Sequence, residues 1–263
     1  MAEELTDKRY WEGTYNGRKR QPPLSIEGFK NYSNRMLFSK LLETTLEGKR
    51  ILEIGAGDSA WLPYLAKQFP TSEFVGVDYT EIGCNLLRER AQRMKVAIEV
   101  VQEDMFSEDS PLHGTFDTVV SFGVVEHFQD LGKVLSTIKR YLKRNGLLFT
   151  VVPNMAGVLG TLTRVWNTAV YRKHNPHDWD AFSFGHRQAG LEIISGGYLC
   201  SNNFAVLSGC FDKKMGLSWH MCRALVGVTL AIWSVENVLG SLPTSRAFSP
   251  YIYATSRITD GFR

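Results

Sequence analysis

Three carboxylates stand where short apolar runs end: Glu53 in ILEIGAG, Asp78 in EFVGVDYT and Asp104 in VVQEDMF. A fourth such run ends in Ser121-Phe122-Gly123-Val124-Val125-Glu126-His127. Just after Glu53 comes Gly55-Ala56-Gly57, where two glycines let the backbone turn sharply and meet a ligand with no Cβ in the way. Gly55-x-Gly57-x-x-Ala60 also fits the relaxed dinucleotide fingerprint, in which a pyrophosphate rests on the next helix N-terminus. Glu53 and Asp58 argue against that ligand, because two carboxylates beside a phosphate in a partly dry crevice repel by kilocalories. A cationic ligand reverses the sign.

The elements that must position these groups alternate. Strands are predicted at 50–55, 73–78, 96–102, 116–121 and 146–153, with helices near 59–68, 80–93 and 130–144, after a first helix over 31–47 with Met36, Leu37, Leu41 and Leu42 at amphipathic spacing. In the helix at 130–144 Asp130 caps the start, Leu131, Val134, Leu135, Ile138 and Leu142 form one stripe, and Asn145-Gly146 ends it. Short apolar strands alternating with helices imply βαβ units and a parallel sheet. Right-handed crossovers leave the strand C-termini along one edge, and the ligand crevice lies there. Beyond Pro153 a helical insertion is expected over 155–189, a strand over 191–199, an apolar helix over 219–240 and a last strand over 249–258. That last strand, arriving after a long excursion, can enter the sheet antiparallel.

S-adenosylmethionine carries an ammonium and a sulfonium and no phosphate, so it has the sign the turn requires. At the second strand end Asp78, followed by Tyr79, can accept both ribose hydroxyls. At the third, Asp104 can accept from the adenine amino group with Met105 flanking the ring. ILEIGAG, FVGVDYT, VVQEDMF, FDTVVSFGVVEHFQD and LKRNGLLFTVVPN together resemble, in order and spacing, the motif series of class I S-adenosylmethionine-dependent methyltransferases over about residues 50–154. Ser59 stands where many members have a third glycine. The resemblance implies an α/β, doubly wound, mostly parallel seven-stranded sheet with its last strand antiparallel. It implies one domain over 1–263: an N-terminal lid over 1–47, a cofactor-binding core over 48–154, and acceptor-binding insertions with the final strands over 155–263. It also places Ser121, Phe122, Glu126 and His127 beside the reactive methyl.

Methyl transfer is an in-line displacement, accelerated largely by holding two centres aligned at about 3–3.5 Å. A base matters when the acceptor has a proton to lose. His127, with an unperturbed pKa of about 6.5, is the expected base, and Glu126 would orient it or hold a substrate cation. A Glu-His pair can also bind a metal, but the sequence identifies no third ligand. His174-x-x-His177-Asp178 reads as a solvated polar loop, so no metal is expected. The segment Tyr10-Trp11-Glu12-Gly13-Thr14-Tyr15 resembles the aromatic N-terminal stretch that folds over the cofactor in many small-molecule methyltransferases. Trp11 and Tyr15 can exclude water there and face a sulfonium. Acceptor contacts are expected in the insertions, from Trp166, Tyr171, His174, His186 and Arg187.

The chain has 263 residues and a formal charge of +3, too small to argue for nucleic acid. The Arg18-Lys19-Arg20 cluster reads as solvated surface. The tetrapeptide typical of nucleobase amino-methyltransferases is absent, and no RNA-binding module is recognisable. Four cysteines, at 84, 200, 210 and 222, lack zinc-ligand spacing and disulfide density, which fits a reducing cytoplasm. The N-terminus is too polar for a signal peptide. The apolar run Leu225–Val235 stops at Glu236, short of the ~20 residues that span a bilayer, and reads as a core or lid helix rather than a membrane-surface or dimer helix. The expectation is therefore a cytoplasmic monomer or homodimer that methylates O or N, less readily S or C, of a small molecule. The alternatives are a protein or RNA methyltransferase and a non-catalytic protein that binds S-adenosylmethionine or its product.

Overall fold

The computed structural model describes residues 4–17, 21–44, 46–211 and 213–259. The Arg18-Lys19-Arg20 cluster lies outside them. Strands β1 (Arg50–Ile54), β2 (Glu73–Asp78), β3 (Glu99–Gln102), β4 (Phe116–Phe122) and β5 (Leu142–Pro153) run parallel. β6 (Leu191–Leu199) and β7 (Tyr251–Ile258) complete the sheet in the order β3-β2-β1-β4-β5-β7-β6. β7 is antiparallel to both β5 and β6, pairing Thr150 with Ala254 and Gly196 with Ala254.

Side chains alternate across the sheet, so each strand feeds two cores. Ile51, Val120 and Phe149 pack on one face with helices α2 (Tyr32–Leu41), α3 (Trp61–Gln68) and α4 (Glu81–Met94). Leu52, Val119 and Leu148 pack on the other with α5 (Leu131–Lys139) and, further on, α8 (Trp179–Gln188). Helix α1 (Lys8–Tyr15) precedes the sheet, and α6 (Val158–Trp166), α7 (Thr168–Tyr171) and α9 (Leu217–Leu239) belong to the two excursions after β5.

Three element predictions are corrected. The helix expected to reach 144 ends at Lys139, and Leu142 instead pairs with Phe116 in β5. The six residues from Leu142 to Leu147 then face only the three from Phe116 to Thr118, so 143–146 bulge. Tyr141, fully buried, and Leu142 enter the sheet core there, and this burial overrides the helical stripe. The first helix ends at Leu41, leaving Leu42 48% exposed off the apolar face. The edge strand β3 begins at Glu99 rather than 96.

The largest correction concerns α9. The helix runs 23 residues and contains an 18-residue window with a mean hydropathy of 1.4, long and apolar enough by length and composition to cross a membrane. It is not a core helix. Cys222, Thr229, Trp233 and Glu236 are its buried residues, whereas Leu217, Val238 and Leu239 are each about four-fifths exposed. Its C-terminal end is held by Glu236, which accepts from Ser201 Oγ at 2.9 Å and Leu242 N at 2.8 Å.

Candidate functional site

The turn after β1 is built by backbone need. Gly55 has φ +70°, a left-handed conformation that favours glycine. Gly57 N donates to Asp78 Oδ2 at 3.0 Å, and a Cβ on Gly57 would collide with Tyr15 Oη. Asp78 Oδ1 accepts from Thr80 N at 2.8 Å and Thr80 Oγ1 at 2.6 Å, so one carboxylate ties the end of β2 to the glycine turn and the start of α4. Ala56 is fully buried beneath the turn, with its N–H on Val77 O.

A cavity of about 250 Å³ opens at this strand edge, lined by Glu53, Gly55, Asp78, Tyr79, Asp104 and Met105 among others. Glu53 is 3% exposed, and burial pushes its carboxyl up to about 8 against the hydrogen bond from Ser59 Oγ at 2.8 Å. Ser59 also takes Trp61 N and Leu62 N at 3.1 Å each. It is therefore not merely a missing glycine: it orients Glu53 and starts α3. Sequence reasoning missed this role, although a serine at the first residues before a helix is a capping signal. Asp58 behaves otherwise than expected, since it forms a buried ion pair with Arg90. Its charge is balanced inside the protein, so the preference for a cation rests on Glu53 and Asp78. At the rim Asp104 is exposed and accepts from Phe106 N at 3.0 Å, while Met105 is buried against the cavity.

The N-terminal segment closes over this edge. Asp7 caps α1, Leu5 N donates to His127 O at 2.7 Å, and Glu4 bridges Phe128. Trp11 and Tyr15 line the cavity, with Trp11 Nε1 on Thr6 Oγ1 at 3.1 Å. Tyr10 does not line it; Lys173 Nζ lies 3.6 Å from the centre of its ring. Opposite the lid, Phe122 stacks on Trp61 at 5.5 Å. Ser121 is fully buried behind Phe122.

A 3₁₀ turn at Val125–His127 carries the Glu-His pair. His127 lines the cavity, with Trp11 edge-on at 5.1 Å. Its Nδ1 lies 2.7 Å from Lys173 O, and since a carbonyl can only accept, Nδ1 carries the proton and Nε2 a lone pair. Burial, reinforced by His174, pushes its pKa down to about 4, so the ordinary histidine value assumed from the sequence does not hold. Glu126 is buried, burial pushes it up to about 8, and Oε2 has no hydrogen-bond partner among the described residues. The loop after α7 supplies what the sequence did not: His174 lies 4.8 Å from His127, ring to ring. Nor is this loop a solvated one, because His177 is buried and Asp178 caps α8.

Trp166, Tyr171, His186 and Arg187 are not brought to the cavity. Trp166 packs on Phe211 in the helical excursion, Tyr171 ends α7, and Arg187 is exposed beside Ser183. His186 is in the core, between Phe182 O at 2.9 Å and Thr150 Oγ1 at 3.3 Å. A second cavity of about 210 Å³ shares Trp61, Phe122 and Gly123 with the first, and adds Ser33, Asn34 and Tyr251. It draws on α2 and the strand ends, parts the sequence reading assigned to lid and core.

A family model described as a methyltransferase domain matches residues 27–195. The fatty-acid O-methyltransferase of Mycolicibacterium smegmatis is 28% identical over 136 residues, 49% of this chain and 48% of that protein. The chain spans about half the length of the curated relatives it matches. Among solved structures, geranyl diphosphate C-methyltransferase from Streptomyces coelicolor A3(2), in complex with Mg2+, geranyl diphosphate and S-adenosyl-L-homocysteine, has a TM-score of 0.58 at 14% identity, covering 87% of this chain and 79% of its own. The cyclase SpnF has a TM-score of 0.60 at 17% identity, covering 86% and 80%. At these identities the two structures are likenesses of fold.

Proposed function

The chain belongs to the methyltransferase-domain family, of the class I S-adenosylmethionine-dependent type, and from that premise we propose that it methylates O or N of a small molecule. The observation that carries this reading is the single cavity at the strand edge, which joins a buried carboxylate at a glycine turn, a second at the next strand end, and a neutral His127 under an aromatic lid. The cofactor fits the residues present, because Gly57 has no room for a side chain and Glu53 is a buried acid whose ionised form needs a cation. When bound, S-adenosylmethionine supplies an electrophilic methyl group on a sulfonium. Glu53 would hold its ammonium, Asp78 its ribose hydroxyls and Asp104 its adenine edge, with Met105 against the ring. Trp11 and Tyr15 exclude water. His127 Nε2 is placed to accept a hydrogen bond from the acceptor. The cavity shared through Trp61 and Phe122 favours an acceptor with an apolar body, and the named fatty-acid relative is consistent with that class.

The direct test is transfer of labelled methyl from S-adenosylmethionine into metabolite extracts, with the product identified by mass. Label found only in protein or RNA would replace the small-molecule reading. Two binding measurements check the cofactor half. Asp78→Asn keeps the shape and one accepting oxygen, which can retain both Thr80 donors while the amide NH2 loses the Gly57 N–H, whereas alanine would strand all three donors and disturb the fold. The asparagine variant is expected to weaken S-adenosylhomocysteine binding by about 1.5–3 kcal/mol, the worth of a charge-assisted bond. Unchanged affinity by calorimetry would place the ribose elsewhere. In Gly57→Ala the new methyl displaces Tyr15 and crowds Asp78, costing about 1–3 kcal/mol of overpacking. Affinity should fall about tenfold or more, and a variant binding like wild type would separate Tyr15 from the cofactor.

A further inference from the structure

Beside His127 the structure brings together a second imidazole, that of His174, and the buried carboxyl group of Glu126. His174 Nδ1 lies 2.9 Å from Val170 O, as His127 Nδ1 lies 2.7 Å from Lys173 O. Each carbonyl fixes the proton on Nδ1 and leaves an Nε2 lone pair. Glu126 is 2% exposed, and its Oε2 is without a partner among the described residues. One ligand atom from each of the three residues lies within 4.8 Å of the others. A metal ion placed between them would take a lone pair from each and displace the carboxyl proton.

The mount is rigid on the side away from the cavity. Asn175 N donates to Glu126 O at 2.6 Å, and Asn175 Nδ2 donates to Phe128 O at 3.2 Å and Gln129 O at 2.9 Å. Histidines oriented by carbonyls on their second nitrogen are the usual support of a metal site. Two imidazoles and a carboxylate suit first-row ions such as Zn2+, Fe2+ or Co2+ better than Mg2+ or Ca2+. At ~2.1 Å from each ligand, a tetrahedral ion would draw the three atoms to ~3.4 Å of one another, against separations within 4.8 Å without it.

We propose that Glu126, His127 and His174 bind one divalent first-row transition-metal ion at the edge of the cavity. His127 lines that cavity, so the ion borders the place assigned above to the acceptor; with the ion bound, the Nε2 lone pair goes to the metal and the ion, in place of Nε2, meets the acceptor, so the proposal rests on that reading for its use though not for its existence. The class of acceptor it favours bears an oxygen or nitrogen donor, a hydroxyl or carboxylate rather than a bare hydrocarbon.

The test uses the full chain freed of metal by chelator, titrated with Co2+ alone and followed by visible absorption. One equivalent should bind with the bands of a nitrogen–oxygen site and be displaced by Zn2+, while millimolar Mg2+ leaves it in place. Removing a ligand should cost more than the 10–100-fold of a lost supporting partner, so His174→Ala and the near-isosteric Glu126→Gln should each weaken Co2+ binding by about 100-fold or more. If the alanine variant fails to fold, the glutamine variant decides. No absorption with wild type, displacement by Mg2+, or wild-type titration by a folded variant would overturn the site. S-adenosylhomocysteine binding, measured on the same samples, keeps the two readings apart: nucleoside bound without Co2+ overturns the metal alone, and Co2+ bound without nucleoside overturns the methyl-transfer reading alone.

Discussion

Replacing Glu53 by glutamine is expected to abolish most of the affinity for S-adenosylmethionine while making the free protein more stable at pH 8. Both effects follow from one buried carboxyl. In the free protein burial lifts Glu53 to about 8, above the ordinary value of about 4.3. Ser59, Leu62 N and the nearby Arg90 pull the other way, and Asp78 adds to the rise. A folded pKa above the unfolded one means that the unfolded chain sheds this proton first. Stability is therefore intact near pH 4 and is lost as pH rises toward 8. Glutamine cannot ionise, so its melting temperature should exceed wild type at pH 8, with the gap closing by pH 5.

Binding runs in the opposite direction. A cationic ligand needs the ionised carboxylate, so wild-type affinity should increase from pH 6 to 8 and level off above, with proton release visible as a buffer-dependent enthalpy. Removing one partner of a buried charge pair costs about 2–5 kcal/mol, and the glutamine variant should lose that much and show no pH slope from this site. Equal affinities, or equal slopes, would mean that Glu53 does not meet the ligand's charge.

What the sequence revealed and what it hid differ in kind. Glu53, Asp78 and Asp104 were legible because a parallel sheet puts every strand C-terminus on one edge, so apolar periodicity alone brings them together. The antiparallel β7 was implied by the family resemblance and allowed by the long excursion before it. The end of α5 was not legible, because Leu142 continues the helical stripe and only the space beside Tyr141 and Phe116 shows that it belongs in a strand. His174 was hidden for a related reason. Its loop meets the Glu-His turn through Asn175 and Lys173 backbone contacts, and no periodicity records a contact between residues 47 apart, as 127 and 174 are. The insertions beyond Pro153 were assigned to the acceptor because the shared core does not fix them, yet His186 went to the core and Trp166 to a separate helical cluster. The exposure of α9 escaped for want of the same information: hydropathy gives the apolar content of a helix but not how many neighbours arrive to cover it.

His127→Ala should lower kcat by about 10²–10⁴-fold, the range for loss of a positioned proton acceptor or of a group holding the acceptor in line. The expectation rests on place, since His127 lines the cavity opposite the glycine turn and its Nε2 is kept unprotonated by Lys173 O. Affinity for the cofactor should move much less, though not vanish from the ledger of effects. Trp11 packs edge-on against the imidazole and Leu5 N bonds its carbonyl, so a smaller side chain loosens the lid from one side only. A rise of a few-fold in the cofactor's KM is expected from that packing loss. Glutamine at 127 separates the two contributions: it restores bulk against Trp11 without the imidazole, so its KM should return toward wild type while kcat stays low. Added imidazole should recover part of the alanine variant's rate and none of wild type's, because only the enlarged cavity admits it. An acceptor that is already ionised needs no proton removed, and the loss would then fall below about tenfold. Wild-type kcat and KM in His127→Ala, with no response to imidazole, would remove His127 from the chemistry.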